Sequence, residues 1–180
     1  MKSPCARIVQ TSFSDYSLKI NLILSSIASQ FAQQLLEVQC IKLQPTQPFT
    51  WASGWLSPFY CDNRKTLAYP KVRTFVKEQL AAMIREQYPE ATAIAGVATG
   101  AIAQGALVAD ALDLPMCYVR AKAKDHGMGN LIEGTLPEGA KVVVVEDLIS
   151  TGGSSLKAVE ALRAAGFEIL GMVASFTYGF

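Results

Sequence analysis

Two adjacent carboxylates, Glu146 and Asp147, follow the apolar run Val142–Val145 and precede a turn rich in glycine and hydroxyls, Ser150–Ser155. Four β-branched residues predict a buried strand, and open α/β sheets bind ligands beyond the carboxyl ends of such strands. Backbone N–H groups, hydroxyls and the start of a helix can cradle a phosphate dianion. The turn is neither a P-loop, which needs GxxxxGK, nor a dinucleotide GxGxxG turn. An ordinary strand, turn and helix with a serine cap is the alternative interpretation.

The two carboxylates would repel a phosphate held in that turn unless another group lies between them. A sugar with hydroxyls, or a bridging Mg²⁺ ion, removes the conflict because both offer partners to carboxylate oxygens. The pattern therefore favours a ligand with the shape of a ribose 5-phosphate.

A second candidate segment, Arg120–Pro137, has neither a helical nor a strand period. It carries the basic residues Lys122 and Lys124, followed by Asp125 and His126. A loop of this length in a compact domain is usually functional or disordered. Taken by itself, the segment is also compatible with a solvated basic loop.

The elements that must position these residues are predicted by hydrophobic period. Beyond Pro89, short apolar runs alternate with helical stretches, which is typical of a parallel sheet with crossover helices. The predicted strands are Ala93–Val97, Met116–Arg120, Lys141–Val145 and Glu168–Ser175, and the helices that follow glycine-bearing turns are Ala101–Leu112 and Ser154–Ala165.

Upstream, two further helices are predicted on either side of a turn-rich aromatic segment, Gln44–Tyr69. The first lies within Leu18–Val38, where apolar residues recur every three or four positions and indicate a core or interface face. The second begins at Pro70, which needs no N–H at a helix start, and continues to about Gln87.

Composition narrows the classes of function. The 180 residues suit one domain, and 51% hydrophobic with 17% charged residues excludes disorder. A net charge of +1 gives no bulk field for a polyanion such as DNA, so a bound anion needs a local site. Short apolar runs predict neither a spanning helix nor a signal peptide. Four cysteines without a CxxC pair, and a single histidine, favour reduced thiols in the cytoplasm over a zinc site.

The run from Glu146 to Ser154 resembles the phosphoribosyl pyrophosphate (PRPP) signature of type I phosphoribosyltransferases. In that family the acidic pair contacts the ribose 2′ and 3′ hydroxyls, directly or with magnesium, and the loop binds the 5′-phosphate. The resemblance implies that Mg²⁺ arrives with PRPP near Glu146 and Asp147, without direct protein ligands. It assigns PRPP binding to the acidic pair and to the residues after it, Leu148, Ile149, Ser150, Thr151, Gly152, Gly153 and Ser154.

Three more segments are similar to the orotate phosphoribosyltransferases of that family. The stretch from Arg120 to Gly127 resembles their flexible catalytic loop, although Ala121 stands where the first loop lysine is usual. The resemblance implies catalytic roles for Arg120, Lys124, Asp125 and His126, and PRPP contacts for the same loop, namely Arg120, Lys122, Lys124 and His126. The Ala95–Ala101 turn matches their pyrophosphate loop, which implies PRPP contacts from Thr99 and Gly100.

The stretch Phe49–Asp62 resembles the N-terminal orotate-side motif of these enzymes. The resemblance implies that orotate is bound by Phe49, Ser53, Tyr60, Cys61 and Ser150. Lysines that many members carry are missing here, with Trp51 and Leu56 in this motif and Thr99–Gly100 in the pyrophosphate loop. Some of the charge that neutralises pyrophosphate must then come from elsewhere. An arginine that contacts the orotate carboxylate in some members would fall near Tyr178.

The resemblance implies an α/β fold, a parallel twisted sheet flanked by helices, with a small N-terminal hood. We expect one domain over residues 1–180, with the N-terminal helix and base-side hood at 18–69, and a C-terminus shortened at Phe180. The implied reaction transfers ribose 5-phosphate from PRPP to orotate in pyrimidine biosynthesis, by a cytoplasmic homodimer that shares its catalytic loop across the interface. Nucleic acid and membrane partners are not expected. Transfer to another base, or a non-catalytic PRPP-sensing regulator, are the alternatives.

Overall fold

The structure is a computed structural model that describes residues 9–11, 23–50, 54, 56–122 and 131–179. In chain order the described strands are β1 Val9–Thr11, β2 Ile41–Leu43, β3 Phe49–Thr50, β4 Leu56–Ser57, β5 Phe59–Cys61, β6 Ala93–Val97, β7 Met116–Val119, β8 Ile132–Glu133, β9 Lys141–Ile149 and β10 Glu168–Thr177. The α-helices are α1 Ile23–Glu37, α2 Pro70–Gln87, α3 Ile102–Leu112 and α4 Gly153–Ala164, and a 3₁₀ helix covers Asn63–Ala68.

A six-stranded sheet in the order β1-β10-β9-β6-β7-β8 forms the centre of the fold. The four inner strands run parallel, whereas β1 and β8 pair antiparallel at the two edges. The predicted α/β class, a parallel sheet flanked by helices, is therefore confirmed. Because the inner strands are parallel, their carboxyl ends lie at one edge, where such sheets bind ligands.

The four predicted strands are all present, and three of them end at a residue other than the predicted one, β7 at Val119, β9 at Ile149 and β10 at Thr177. Strand β9 continues to Ile149, past the predicted end at Val145, and so includes both candidate carboxylates. Its parallel pairing with β10 runs as far as Ile149 opposite Thr177, which keeps the extra residues in the ladder. The two-residue strand β8 lies inside the segment predicted to be a loop.

The hydrophobic core lies on both faces of the sheet. Successive side chains of a strand point to opposite faces, and along β9 Val143 and Val145 pack with one cluster while Val142 and Val144 pack with the other. Helices α1, α2 and α3 cover the first face, and α4 covers the second. The apolar face of α1 is part of the core rather than an open interface, since Phe31 and Leu35 are fully buried. No helix among the described residues is long and apolar enough to cross a bilayer.

Two small sheets, β2 with β5 and β3 with β4, and the 3₁₀ helix lie within the segment that was predicted to contain the hood. We use "hood" for the described residues between Ile41 and Tyr69. Hydrogen bonds between described residues link it to the carboxyl ends of β9 and β10. The Asn63 side-chain amide donates to the backbone carbonyl of Asp147 at 2.6 Å, and the Cys61 N–H donates to the Tyr178 hydroxyl at 3.3 Å.

Candidate active site

A cleft of about 510 Å³ lies between the hood and the carboxyl ends of β6 and β9. Its described walls combine carboxylates, hydroxyls, backbone of two turns and one guanidinium. The lining residues are Thr50, Tyr60, Cys61, Asp62, Asn63, Arg64, Val97, Ala98, Thr99, Gly100, Glu146, Asp147, Leu148, Ser150, Ser154 and Tyr178.

The first carboxylate, Glu146, is 3% exposed at the floor of the cleft. Its Oε2 accepts a hydrogen bond from the Ser155 hydroxyl at 2.8 Å, and its Oε1 accepts one from the Asp147 N–H at 3.0 Å. Burial, and next the carboxylate of Asp147, raise the pKa of Glu146 far above its ordinary value. Burial therefore favours a proton on this pair, which a bound cation or a set of hydroxyl donors would displace.

The second carboxylate, Asp147, reaches further into the cleft and is partly buried. Burial raises its pKa, while contact with Glu146 and the charge of Arg64 act in the opposite direction. Its backbone carbonyl is tied to the hood by Asn63. The acidic pair thus lies between the hood and the start of α4.

The phosphate-loop candidates lie directly beyond this pair. Ser150 and Ser154 line the cleft, and Gly152, at φ +79°, makes the left-handed turn that starts α4 at Gly153. An added Cβ at either glycine would meet nothing within 4 Å, so the space over this helix start is open to a ligand. Thr151 is exposed beside it. A helix start with free N–H groups and hydroxyls suits a phosphate.

Of the remaining residues of the predicted PRPP segment, one lies in the cleft and one in the core. Leu148 lines the cleft, whereas Ile149 packs against the core cluster on the α4 face. Any contact of Ile149 with PRPP would therefore have to come from its backbone.

The turn after β6 forms the opposite wall, through Thr99 and Gly100. The peptide between Ala98 and Thr99 is cis. A Cβ added at Gly100 would overlap the Asp147 carboxylate, so only glycine lets the turn approach the acidic pair this closely. The geometry brings two segments together that are nearly fifty positions apart in the sequence.

The hood side of the cleft is aromatic. Tyr60 lines it and packs on Phe49, with ring centroids 5.6 Å apart. Tyr178, which directly follows β10, packs on Phe59 with ring centroids 5.2 Å apart. Burial raises the pKa of the Cys61 thiol to about 12, so this residue offers a neutral S–H and no thiolate nucleophile.

Comparison with known proteins agrees with this arrangement. Residues 71–179 match the model of the phosphoribosyl transferase domain, which covers more than half of the chain. The orotate phosphoribosyltransferase of Bacteroides thetaiotaomicron is 69% identical over 150 residues, which are 83% of this chain and 71% of the relative. That of Phocaeicola vulgatus is 64% identical over 157 residues, or 87% of this chain and 74% of the relative.

The chain belongs to the orotate phosphoribosyltransferases. A solved orotate phosphoribosyltransferase from Aeropyrum pernix is 27% identical and superposes with a TM-score of 0.68, over 81% of this chain and 92% of that chain. The family predicted from the sequence motifs is therefore confirmed.

Only some of the predicted loop residues lie within the part of the chain that the structure describes. Arg120 and Lys122 are described, and neither lines the cleft. Arg120 instead pairs with Glu133 of β8, with 3.4 Å between Nη1 and Oε1, and Lys122 is exposed. Lys124, Asp125 and His126 lie outside the described residues.

The predicted orotate-side residues are also divided. Tyr60, Cys61 and Ser150 line the cleft, whereas Phe49 reaches it only through its packing on Tyr60. Ser53 lies outside the described residues.

Sequence reasoning missed several residues that line this site, among them Asp62, Asn63, Arg64 and, except as a substitution, Tyr178. Their signal was present but weak. Three consecutive polar residues directly after an aromatic strand suggest a strand end that faces a ligand. Nothing in the sequence spacing indicates that Asn63 reaches the backbone of β9.

Proposed function

We propose that the chain transfers the 5-phosphoribosyl group of PRPP to a ring nitrogen of orotate. The bond from C1′ to pyrophosphate breaks, a bond from C1′ to nitrogen forms, and the nitrogen loses its proton. The products are orotidine 5′-monophosphate and pyrophosphate. The observation that carries the proposal is the acidic pair Glu146–Asp147, placed between an open helix start and an aromatic hood in one cleft.

This arrangement supports catalysis by position and charge. A displacement at C1′ gives the sugar oxocarbenium character, and Glu146 and Asp147 supply negative charge beside it. Two anchored ends, phosphate at the α4 start and base at the hood, would hold the reacting atoms in line. No covalent nucleophile is needed, in agreement with the neutral thiol of Cys61.

The oxygens of Glu146 and Asp147 fit a magnesium ion that arrives with PRPP. Among the described residues no group of three or more acidic, histidine or cysteine side chains could hold a metal. Mg²⁺ commonly binds one or two carboxylates together with substrate phosphates. When bound, the ion would supply positive charge to the leaving pyrophosphate.

The catalytic roles of Arg120, Lys124 and His126, with Asp125 or His126 assisting proton movement, also stay proposals. Strand β7 neighbours β6 in the sheet and ends directly before this segment, so the chain leaves the sheet beside the Thr99–Gly100 turn. We expect Lys124→Ala to keep the fold and PRPP binding but to lose at least roughly 100-fold in turnover, since one charge-stabilising donor commonly contributes that much. Unchanged turnover in a coupled pyrophosphate-release assay would contradict the role of Lys124.

The substrate assignment is tested with the base as the only variable. The protein is incubated with PRPP, Mg²⁺ and either orotate, uracil or a purine base, and pyrophosphate release is followed. Turnover with orotate alone supports the proposal. Turnover with another base would favour a different phosphoribosyltransferase, and PRPP binding without turnover would favour a sensor.

We further propose a cytoplasmic homodimer in which each single-domain chain lends its catalytic loop to the partner. The buried thiols of Cys40, Cys61 and Cys117 are unpaired, which suits a reducing compartment. Mixing inactive Lys124→Ala with inactive Asp147→Asn tests the shared loop, because a mixed dimer would contain one site with both groups intact. Recovery of activity after mixing supports the exchange, and a mixture as inactive as its parents contradicts it.

A further inference from the structure

Arg64 is the one positively charged side chain among the described residues that line the cleft. We propose that Arg64 binds the carboxylate of orotate and is the main determinant of specificity for an acidic base. The inference rests on the proposed function, since it names the residue that recognises the substrate of that reaction.

The charge balance of the cleft requires such a group. The described lining carries three carboxylates, Asp62, Glu146 and Asp147, against the single guanidinium of Arg64. Orotate is an anion, so its entry beside these carboxylates is unfavourable without a cation. A charged acceptor paired with a guanidinium gives one of the stronger hydrogen bonds available to a protein.

The position of Arg64 matches the base end of the cleft. The α4 start offers a phosphate site and the acidic pair offers partners for the ribose, so the base must extend toward the hood. Arg64 belongs to the hood and follows Asn63, whose side chain bonds the Asp147 carbonyl. Arg64 and Asp147 both line the cleft, and the positive charge of Arg64 lowers the pKa of the Asp147 carboxyl.

The Arg64 guanidinium is oriented by Asp62 and keeps further N–H donors for a ligand. Its Nε donates to Asp62 Oδ1 at 2.7 Å, and the Arg64 side chain is 55% exposed. This bond occupies one of five N–H donors and leaves the two terminal nitrogens for a second carboxylate, in the fork geometry that arginine offers. Asp62 would thus hold the plane of Arg64 in place for orotate.

The test compares Arg64→Gln with Lys65→Gln, which removes the same charge from the next residue. Lys65 donates to the Gln39 carbonyl at 3.1 Å and does not line the cleft, so it is a matched control. For Arg64→Gln we expect the KM for orotate to rise roughly 10- to 100-fold, the loss of one hydrogen bond to a charged group. The KM for PRPP and the melting temperature should match those of Lys65→Gln.

A neutral substrate analogue separates recognition of the carboxylate from a general effect on the site. The methyl ester of orotate keeps the ring but lacks the charge, so its inhibition constant should be the same for wild type and Arg64→Gln. Equal weakening of orotate and its ester, a rise in KM for PRPP alone, or an unchanged KM for orotate would each overturn the inference. A wild-type protein inactive with orotate would instead overturn the proposed function, so the two failures are distinguishable.

Discussion

At the scale of single residues, the buried Glu146 sets function against stability. Its pKa is raised above the ordinary value of 4.5, mainly by burial, so the folded chain retains a proton that the unfolded chain releases as pH rises through that value. The free energy of unfolding must therefore fall as pH rises from about 4.5 through the raised pKa. Ionising the buried Glu146 lowers the free energy of unfolding, and a ligand that binds the ionised carboxylate can offset this loss.

Replacement of Glu146 with glutamine should expose this cost. Glutamine keeps the size and one acceptor oxygen, which can serve either Ser155 or the Asp147 N–H, but it cannot ionise. We expect Glu146→Gln to be more stable than wild type by on the order of 1 to 3 kcal/mol above neutral pH, with the difference shrinking toward about pH 4. Urea unfolding at several pH values measures it, alongside a loss of turnover. A variant that is less stable at alkaline pH would contradict the burial argument.

Gly100 is the second residue whose type determines the geometry of the site. A methyl group there would overlap the Asp147 carboxylate, so Gly100→Ala must displace one of them. We expect kcat/KM to fall roughly 100-fold, as a shift of about 1 Å in a catalytic group can do. The contrasting variant is Gly139→Ala. Gly139 has φ +67°, which disfavours alanine, but an added Cβ there would meet no atom within 4 Å, so this variant should lose stability and keep the activity of its folded fraction. Equal kcat/KM for both variants would show that Asp147 tolerates displacement.

At the scale of elements, the hydrogen bonds of Asn63 link the hood to β9. Asn63 is buried, donates to the Asp147 carbonyl at 2.6 Å and accepts from the Cys61 thiol at 3.2 Å. Loss of these partners in Asn63→Ala leaves buried polar groups unpaired, which costs about 1 to 3 kcal/mol. We expect a lower free energy of unfolding together with a raised KM for orotate, because the hood loses its link to β9.

The control for the hood is Thr66→Val. The buried Thr66 hydroxyl donates to the Asn63 carbonyl at 2.6 Å, a bond inside the 3₁₀ helix that does not reach β9. This variant should lose stability without a change in the KM for orotate. If Asn63→Ala and Thr66→Val lose similar amounts of stability in chemical denaturation and show the same KM for orotate in steady-state kinetics, the hood link has no separate role in substrate binding.

The elements also show how far sequence reasoning extends. Helix α2 was predictable from its hydrophobic period and the inner strands from their continuous apolar runs, and the acid pair was found because its signal lies within consecutive residues. The edge strands β1 and β8 were missed, since three and two residues carry no period and are defined only by their partners β10 and β7. Contacts such as Asn63 with Asp147, 84 positions apart, depend on the assembled fold.

At the scale of the whole molecule, balanced charge and a local site predict how ligands stabilise the chain. A ligand present at about 100 times its Kd adds about 2.7 kcal/mol to the free energy of unfolding. If Mg²⁺ with PRPP offsets the ionised pair of Glu146 and Asp147, this gain should grow with pH, because the carboxylates must be ionised to bind it. We therefore expect a larger rise in Tm at about pH 8.5 than at about pH 6.

Thermal unfolding with Mg²⁺ and PRPP, and with Mg²⁺ and inorganic phosphate as control, measures this linkage. Phosphate alone should occupy the α4 start without reaching the acid pair, so its smaller shift in Tm should depend less on pH. The pH dependence with PRPP should also shrink in Glu146→Gln, which has one group fewer to ionise. A shift with PRPP that stays constant across pH in wild type would mean that Glu146 and Asp147 do not bind the ribose or its cation. The phosphate loop would then account for the affinity alone.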